Sequence, residues 1–82
     1  MKREVIAHLN SKEGEMDRAV LLGPHYLFGN PVNNSYIFLV DNKLCTGIFN
    51  WYVCQYYVDD LYGVIRQTDE NYNHYKRYIQ EA

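Results

Sequence analysis

The stretch from Asn50 to Arg66, NWYVCQYYVDDLYGVIR, restricts the possible folds more than any other part of the chain. At the roughly 100° per residue of an α-helix, its aliphatic residues fall on one half of the helical wheel and its charged residues on the other. Residues 51–58 lack the alternation of a half-buried strand. The pattern therefore predicts an amphipathic helix over 51–66, although aromatic and β-branched residues and Gly63 have low helix propensity.

Asn50 lies at the expected N-cap of this helix, because its side chain can accept a hydrogen bond from a free backbone N–H. A second helical segment is predicted over 69–81, where Tyr72, Tyr75 and Ile79 recur at helical spacing. The wheel places these three residues in the same sector as the apolar face of 51–66. The two segments can therefore be separate helices or one continuous helix.

The first fifty residues favour β-structure. Strands are predicted at 3–9 and 17–22, and a hairpin is predicted from strands at 35–41 and 44–49. Its turn contains Asp41 and Asn42, two residue types that tolerate left-handed backbone. Residues 23–34 contain two Pro, two Gly and three Asn, which favours an irregular loop.

The predicted fold class is α+β, in a single domain that covers residues 1–82. An antiparallel sheet of about four strands precedes one long or two shorter helices that pack on one face. The third strand, Tyr36-Ile37-Phe38-Leu39-Val40, is apolar on both faces. A central strand with one face beneath a helix would have this pattern.

Composition narrows the functional classes. The net charge is −2, and neither half of the chain carries a basic footprint, which argues against nucleic acid as the main partner. There is no apolar run long enough for a membrane span and no export signal, so we expect a cytoplasmic protein with reduced cysteines. Tyrosine is the outlier with nine residues, and tyrosine is enriched in protein interfaces.

Tyr57-Val58-Asp59-Asp60 resembles the Tyr-x-Asp-Asp signature of reverse transcriptases over about six residues. The resemblance implies two carboxylates that bind Mg²⁺ together with a third aspartate from a palm domain. The chain has no room for a palm, and Asp17 and Asp41 are the only upstream aspartates. We interpret the two acids as solvated residues on the exposed face of the predicted helix.

No other motif indicates catalysis. The three histidines and two cysteines show no spacing typical of metal ligands, and we interpret both Cys45 and Cys54 as core residues. We therefore predict no metal, no cofactor and no enzymatic activity.

The predicted function is non-enzymatic binding of another protein, as an inhibitor or regulator that occludes a site on a larger protein. Proteins encoded by viruses and mobile elements act in this way, and that analogy would place the chain in a host cytoplasm. On the predicted helix, Tyr52 and Tyr56 stack at i, i+4 and resemble an interface hot spot. The predicted partner-binding residues are Tyr52, Tyr56, Asp59, Arg66, Tyr26 and Phe28.

Two alternatives remain open. One is a small-ligand binding protein or homo-oligomer, in which Tyr and Asn side chains line a pocket and stack on a nucleobase. The other is a single-stranded nucleic-acid binder that uses aromatic platforms, which the acidic balance of the chain disfavours.

Overall fold

The computed structural model describes residues 2–80, which form a five-stranded sheet followed by a short helical segment. The strands are β1 (Arg3–Leu9), β2 (Met16–Leu27), β3 (Asn30–Val40), β4 (Lys43–Asn50) and β5 (Gln55–Val64). The helix α1 (Glu70–Tyr75) continues into a 3₁₀ turn (Lys76–Tyr78). None of the described helical segments is long and apolar enough to cross a membrane.

The strands form a closed barrel in chain order. Each strand is antiparallel to the next, and β1 closes the barrel by pairing in parallel with β5. Because the strand number is odd, the first and last strands of this meander run in the same direction. The β2–β3 turn and the β4–β5 loop therefore lie at one end of the barrel, and the β1–β2 loop and the β3–β4 turn lie at the other.

Two apolar layers stabilise the fold, and β3 contributes to both. The barrel interior is filled by residues that include Leu21, Phe38 and Val58. On the outer side, Ile37 packs in a second cluster with Tyr75 of α1. The prediction that this strand is apolar on both faces because a helix covers one of them is confirmed, but the covering element is the C-terminal segment.

The predicted helix over 51–66 is wrong. Residues 51–54 form the β4–β5 loop, and β5 follows as a strand. Asn50 accepts the expected hydrogen bond, from the Tyr52 N–H at 3.0 Å, but the bond closes an Asx turn rather than capping a helix. Cys54 has a φ of 52°, which no right-handed helix contains.

The helical period of this stretch arises because three different structures follow one another. Apolar and polar residues do not alternate in one register through a loop, a strand and a wide bulge. Taken together, the apolar residues of these three elements have a spacing similar to that of a helix. Thr46 pairs with Asp59, whereas the neighbouring Cys45 pairs with Val64, so residues 60–63 bulge out of the ladder. Asp60 turns inward there and is only 3% exposed, so its interpretation as a solvated acid is wrong.

The two cysteines differ in their surroundings. Cys45 is buried in the barrel core, as predicted, and burial raises the pKa of its thiol to about 11. Cys54 is exposed in the β4–β5 loop, so its assignment to the core is wrong. The assignment depended on the helical wheel, which does not apply to a loop.

The predicted loop over 23–34 is also wrong. β2 and β3 continue through this stretch to a two-residue turn at Phe28 and Gly29. Register shifts between Leu21 and Gly23 and between Pro24 and Tyr26 show that the pairing of β2 with β3 is irregular around Pro24, where a strand proline is tolerated. The sheet has five strands instead of about four because β5 replaces most of the predicted helix.

The second helical segment is confirmed in part. A helix does follow residue 69, but it spans only Glu70–Tyr75 before the 3₁₀ turn, and Glu81 lies outside the described residues. One continuous helix over 51–81 is wrong, since β5 occupies most of its first half.

Candidate functional site

The turn between β2 and β3 places an aromatic residue where turn chemistry favours a small polar one. Phe28 and Gly29 have φ angles of 50° and 80°, and Leu27 pairs with Asn30 across them. A two-residue hairpin turn with both φ values positive is of the I′ type, for which Asn, Asp and Gly are preferred. Phe28 is nevertheless 87% exposed. We call Leu27 and Phe28 the hairpin tip.

The helix α1 holds the hairpin tip in place through its first two residues. The Glu70 carboxylate accepts hydrogen bonds from the Phe28 N–H at 2.6 Å and the Gly29 N–H at 2.9 Å. The Asn71 side chain accepts from the Tyr26 N–H at 2.7 Å and donates to the Tyr26 carbonyl at 2.9 Å. These bonds are made by the backbone, so they fix the backbone at Phe28 and leave its side chain uncovered. We call Glu70 and Asn71 the brace.

Asn71 can hold the hairpin tip in place because the position of its own side chain is fixed. It is buried, and its side-chain amide also donates to Asp69, whose carboxylate caps the first turn of α1. A buried amide whose oxygen and nitrogen are both hydrogen-bonded is held in one orientation. Within the brace, Asn71 is therefore held in one position.

Aromatic contacts attach the rest of α1 to β2. His74 stacks on Tyr26 with ring centroids 4.4 Å apart, and the Tyr75 hydroxyl donates to the Pro24 carbonyl at 2.6 Å. Burial raises the pKa of Tyr75 to about 12, so this hydroxyl remains a donor at neutral pH. A Cβ at Gly23 would lie 2.7 Å from the same hydroxyl, so glycine is what allows the helix to pack this closely.

The β4–β5 loop lies at the same end of the barrel as the hairpin tip and is also aromatic. Tyr52 is exposed and stacks on Trp51, with ring centroids 4.1 Å apart. Tyr56 instead lies in β5, half-buried, with its ring edge-on to Phe38 and its hydroxyl accepting from Arg3. The predicted i, i+4 stacking of Tyr52 and Tyr56 on a helix is therefore wrong, because the two residues belong to a loop and a strand.

The remaining predicted residues lie toward the other end of the barrel. Asp59 is half-buried in β5, immediately before the bulge, and Arg66 is exposed beyond the end of the strand. The structure therefore brings Tyr26 and Phe28 together and leaves Tyr52 at their end, while Asp59 and Arg66 are separate. The brace was not predicted, because Glu70 and its partner Phe28 are 42 residues apart in sequence.

A groove of about 320 Å³ crosses the outer face of β3, β4 and β5. Its lining includes Asn10, Ser35, Thr46, Ile48, Tyr57 and Asp59. His8 stacks on the Tyr57 ring with centroids 4.6 Å apart, which fixes the ring beside the groove. The bulge at 60–63 lies against this region, since a Cβ at Gly63 would lie 2.6 Å from the Asp59 carbonyl oxygen.

Comparison with known proteins does not place the chain in a group. No protein family, no curated protein and no solved structure matches it. Within residues 2–80, no three His, Cys, Asp or Glu side chains are grouped so that they could hold a metal ion.

Proposed function

We propose that the protein is a non-enzymatic binding module that inserts Phe28 as an anchor into a pocket of a partner protein. The observation that supports this most is that Phe28 combines a positive φ and almost complete exposure with a turn that donates two backbone hydrogen bonds to Glu70. Left-handed backbone costs an ordinary L-residue roughly 1–2 kcal/mol. A residue that breaks the local rules without packing in its own fold is a candidate for a functional role.

The brace supports the same proposal because it orders the anchor in advance. Association costs free energy for each side chain and loop that must be immobilised, and a preorganised anchor lowers that cost. Aromatic residues in the centre of an interface contribute most of the binding free energy in many complexes. Phe28 is an aromatic residue and lies on a two-residue turn that the brace orders, so it has both properties.

The surroundings of Phe28 are suited to an interface. Leu27 is exposed in the same tip, and Trp51 and Tyr52 are exposed at the same end of the barrel. Tyrosine and tryptophan are enriched in protein interfaces. Tyr52 therefore remains a proposed contact residue, while Tyr56 supports the loop from within the core. Inhibition by occluding a site on a larger protein is the form of this function that we favour.

The experiment compares two substitutions that each remove one exposed aromatic side chain. Tagged wild-type protein, Phe28→Asn and Tyr62→Asn are used to capture partners from lysate, and the captured proteins are quantified by mass spectrometry. Tyr62 is 89% exposed in the β5 bulge and not in the β2–β3 turn, so Tyr62→Asn controls for the loss of a surface aromatic.

We expect one protein that wild type and Tyr62→Asn capture equally and that Phe28→Asn loses by at least about tenfold, which is the loss of about 1.4 kcal/mol. Equal capture by Phe28→Asn would show that Phe28 is not the anchor. Thermal unfolding of all three proteins ensures that a loss of capture does not come from unfolding.

A further inference from the structure

The groove beside Tyr57 contains the Asp59 carboxylate. Among the described residues, this carboxylate accepts hydrogen bonds but has no positively charged partner. Asp59 Oδ1 accepts hydrogen bonds from Asn10 Nδ2 at 3.0 Å and from the Tyr62 N–H at 2.9 Å. Within the described chain, neither an ion pair nor a hydrogen bond is made by Asp59 Oδ2. The carboxylate is therefore held by one oxygen, and the other is available to a ligand.

The electrostatics of the groove favour a cation. Asp59 is the only Asp, Glu, Lys or Arg among its lining residues, which also include His25, hydrogen-bonded through Nδ1 to Ser35 at 2.9 Å; the whole chain has a net charge of −2. A half-buried carboxylate without a counter-ion attracts a positive group more strongly than a fully solvated one, because the local dielectric is lower.

Tyr57 adds an aromatic ring to the same groove. Its ring stacks on His8, its hydroxyl lies 3.4 Å from Gln55 Oε1, and it is partly exposed. An aromatic ring beside a carboxylate suits a guanidinium group, which is planar, weakly hydrated and able to stack while it donates hydrogen bonds. A volume of about 320 Å³ is at the small end of ligand sites.

We propose that this groove binds the guanidinium group of an arginine side chain of the partner protein. Asp59 Oδ2 accepts a hydrogen bond from the guanidinium, and the Tyr57 ring packs against its plane. This inference rests on the proposed function, because it assigns a second contact to the same partner. It also gives Asp59 the partner-binding role that the sequence predicted for it.

The test uses an arginine derivative alone, so it does not depend on finding the partner. Nα-acetyl-L-arginine methylamide is titrated into ¹⁵N-labelled protein, and amide chemical shifts are followed. The neutral isostere, the citrulline derivative, is titrated in parallel. We expect the arginine derivative to shift the amides of Tyr57, Asp59 and Ile48, and the citrulline derivative to leave them in place.

Two variants make the test specific. Asp59→Asn keeps the oxygen that accepts from Asn10 and Tyr62 but replaces Oδ2 with an amide that repels a guanidinium. We expect it to bind the arginine derivative at least about tenfold more weakly. Asp41→Asn removes the same charge from the β3–β4 turn, where Asn tolerates the φ of 48°, and we expect wild-type affinity.

Several results would overturn the inference: equal binding of the citrulline derivative, unchanged affinity in Asp59→Asn, or an equal loss in Asp41→Asn. Tighter binding of guanosine to the same amides would also overturn it, in favour of a nucleobase site. If the titration fails while Phe28→Asn still loses the partner, the groove assignment alone is wrong. If the titration succeeds while Phe28→Asn captures normally, the groove assignment stands and the anchor is wrong.

Discussion

Replacing Phe28 with Asn should make the protein slightly more stable while it abolishes partner binding. The substitution creates an Asn-Gly turn, which is among the best sequences for a hairpin turn with two positive φ angles. The hydrogen bonds that the Glu70 carboxylate accepts come from the backbone N–H groups of the turn, so they are retained. Little burial is lost, because Phe28 is 87% exposed.

The free energy lost with the buried part of Phe28 can be compared with the free energy gained by relieving the left-handed backbone. Complete burial of a Phe side chain is worth about 3 kcal/mol at most, so the small buried part of Phe28 contributes roughly 0.3 kcal/mol. Relief of the left-handed backbone by Asn should return about 0.8 kcal/mol of the penalty that Phe incurs. The free energy of unfolding should therefore rise by about 0.5 kcal/mol, and the melting temperature by about 2–4 °C for a domain of this size.

Urea denaturation and thermal unfolding measured by circular dichroism give both quantities. A loss of more than about 1 kcal/mol would refute the reasoning, because it would mean that Phe28 stabilises its own fold by packing. A gain in stability with unchanged partner capture would confirm the turn strain but reject the anchor.

Two further predictions concern the bulge in β5 and the β1–β2 loop, which is hydrogen-bonded to the bulge through Ser11 and Asp60. Gly63→Ala should destabilise the protein by about 1–3 kcal/mol in chemical denaturation, since the new Cβ would lie 2.6 Å from the Asp59 carbonyl oxygen. Gly63 does not have a positive φ, so backbone strain is not an alternative cause, and a loss of less than about 0.5 kcal/mol would contradict the crowding argument. Burial raises the pKa of Asp60, but hydrogen bonds from the Ser11 hydroxyl and N–H lower it by more, and the resulting pKa lies below the ordinary value of 3.8. Ionised Asp60 therefore stabilises the fold above pH 3.8, and this contribution is lost as the pH falls through the lower pKa of the folded state. The stability difference between wild type and Asp60→Asn should shrink on acidification from about pH 6 to about pH 2; a difference that does not change with pH would argue against this role for Asp60.

The strands with clear local signals were predictable from the sequence. Residues 3–9 alternate, and the hairpin around Asp41 and Asn42 contains residues suited to the φ angles of 48° and 61° that the turn adopts. Both signals depend only on neighbours in the chain. The two apolar faces of β3 also indicated two packed layers, because a strand that is apolar on both faces must be covered on both.

The rest of the fold and of the candidate site depends on contacts between residues that are far apart in the sequence, and a local pattern does not predict such contacts. The helical spacing of apolar residues over 51–66 arises from a loop, a strand and a bulge in succession, and none of these elements has that spacing by itself. The sequence predicts Phe28 as a partner-binding residue, but the turn that presents it is held by Glu70, 42 residues later. Trp51 lies at the start of the predicted helix over 51–66 and is exposed in the β4–β5 loop.

The most direct test of the central claim is photo-crosslinking from the position of Phe28. p-Benzoyl-L-phenylalanine is incorporated at residue 28 in one protein and at residue 62 in another, each is irradiated in lysate, and the adducts are identified by mass spectrometry. Phe28 and Tyr62 are similarly exposed, at 87% and 89%, but Phe28 lies in the β2–β3 turn and Tyr62 in the β5 bulge next to Asp59. We predict one dominant adduct from residue 28, and it is the same protein that wild type captures. The absence of that adduct from residue 28, or its formation from residue 62 alone, would contradict the account.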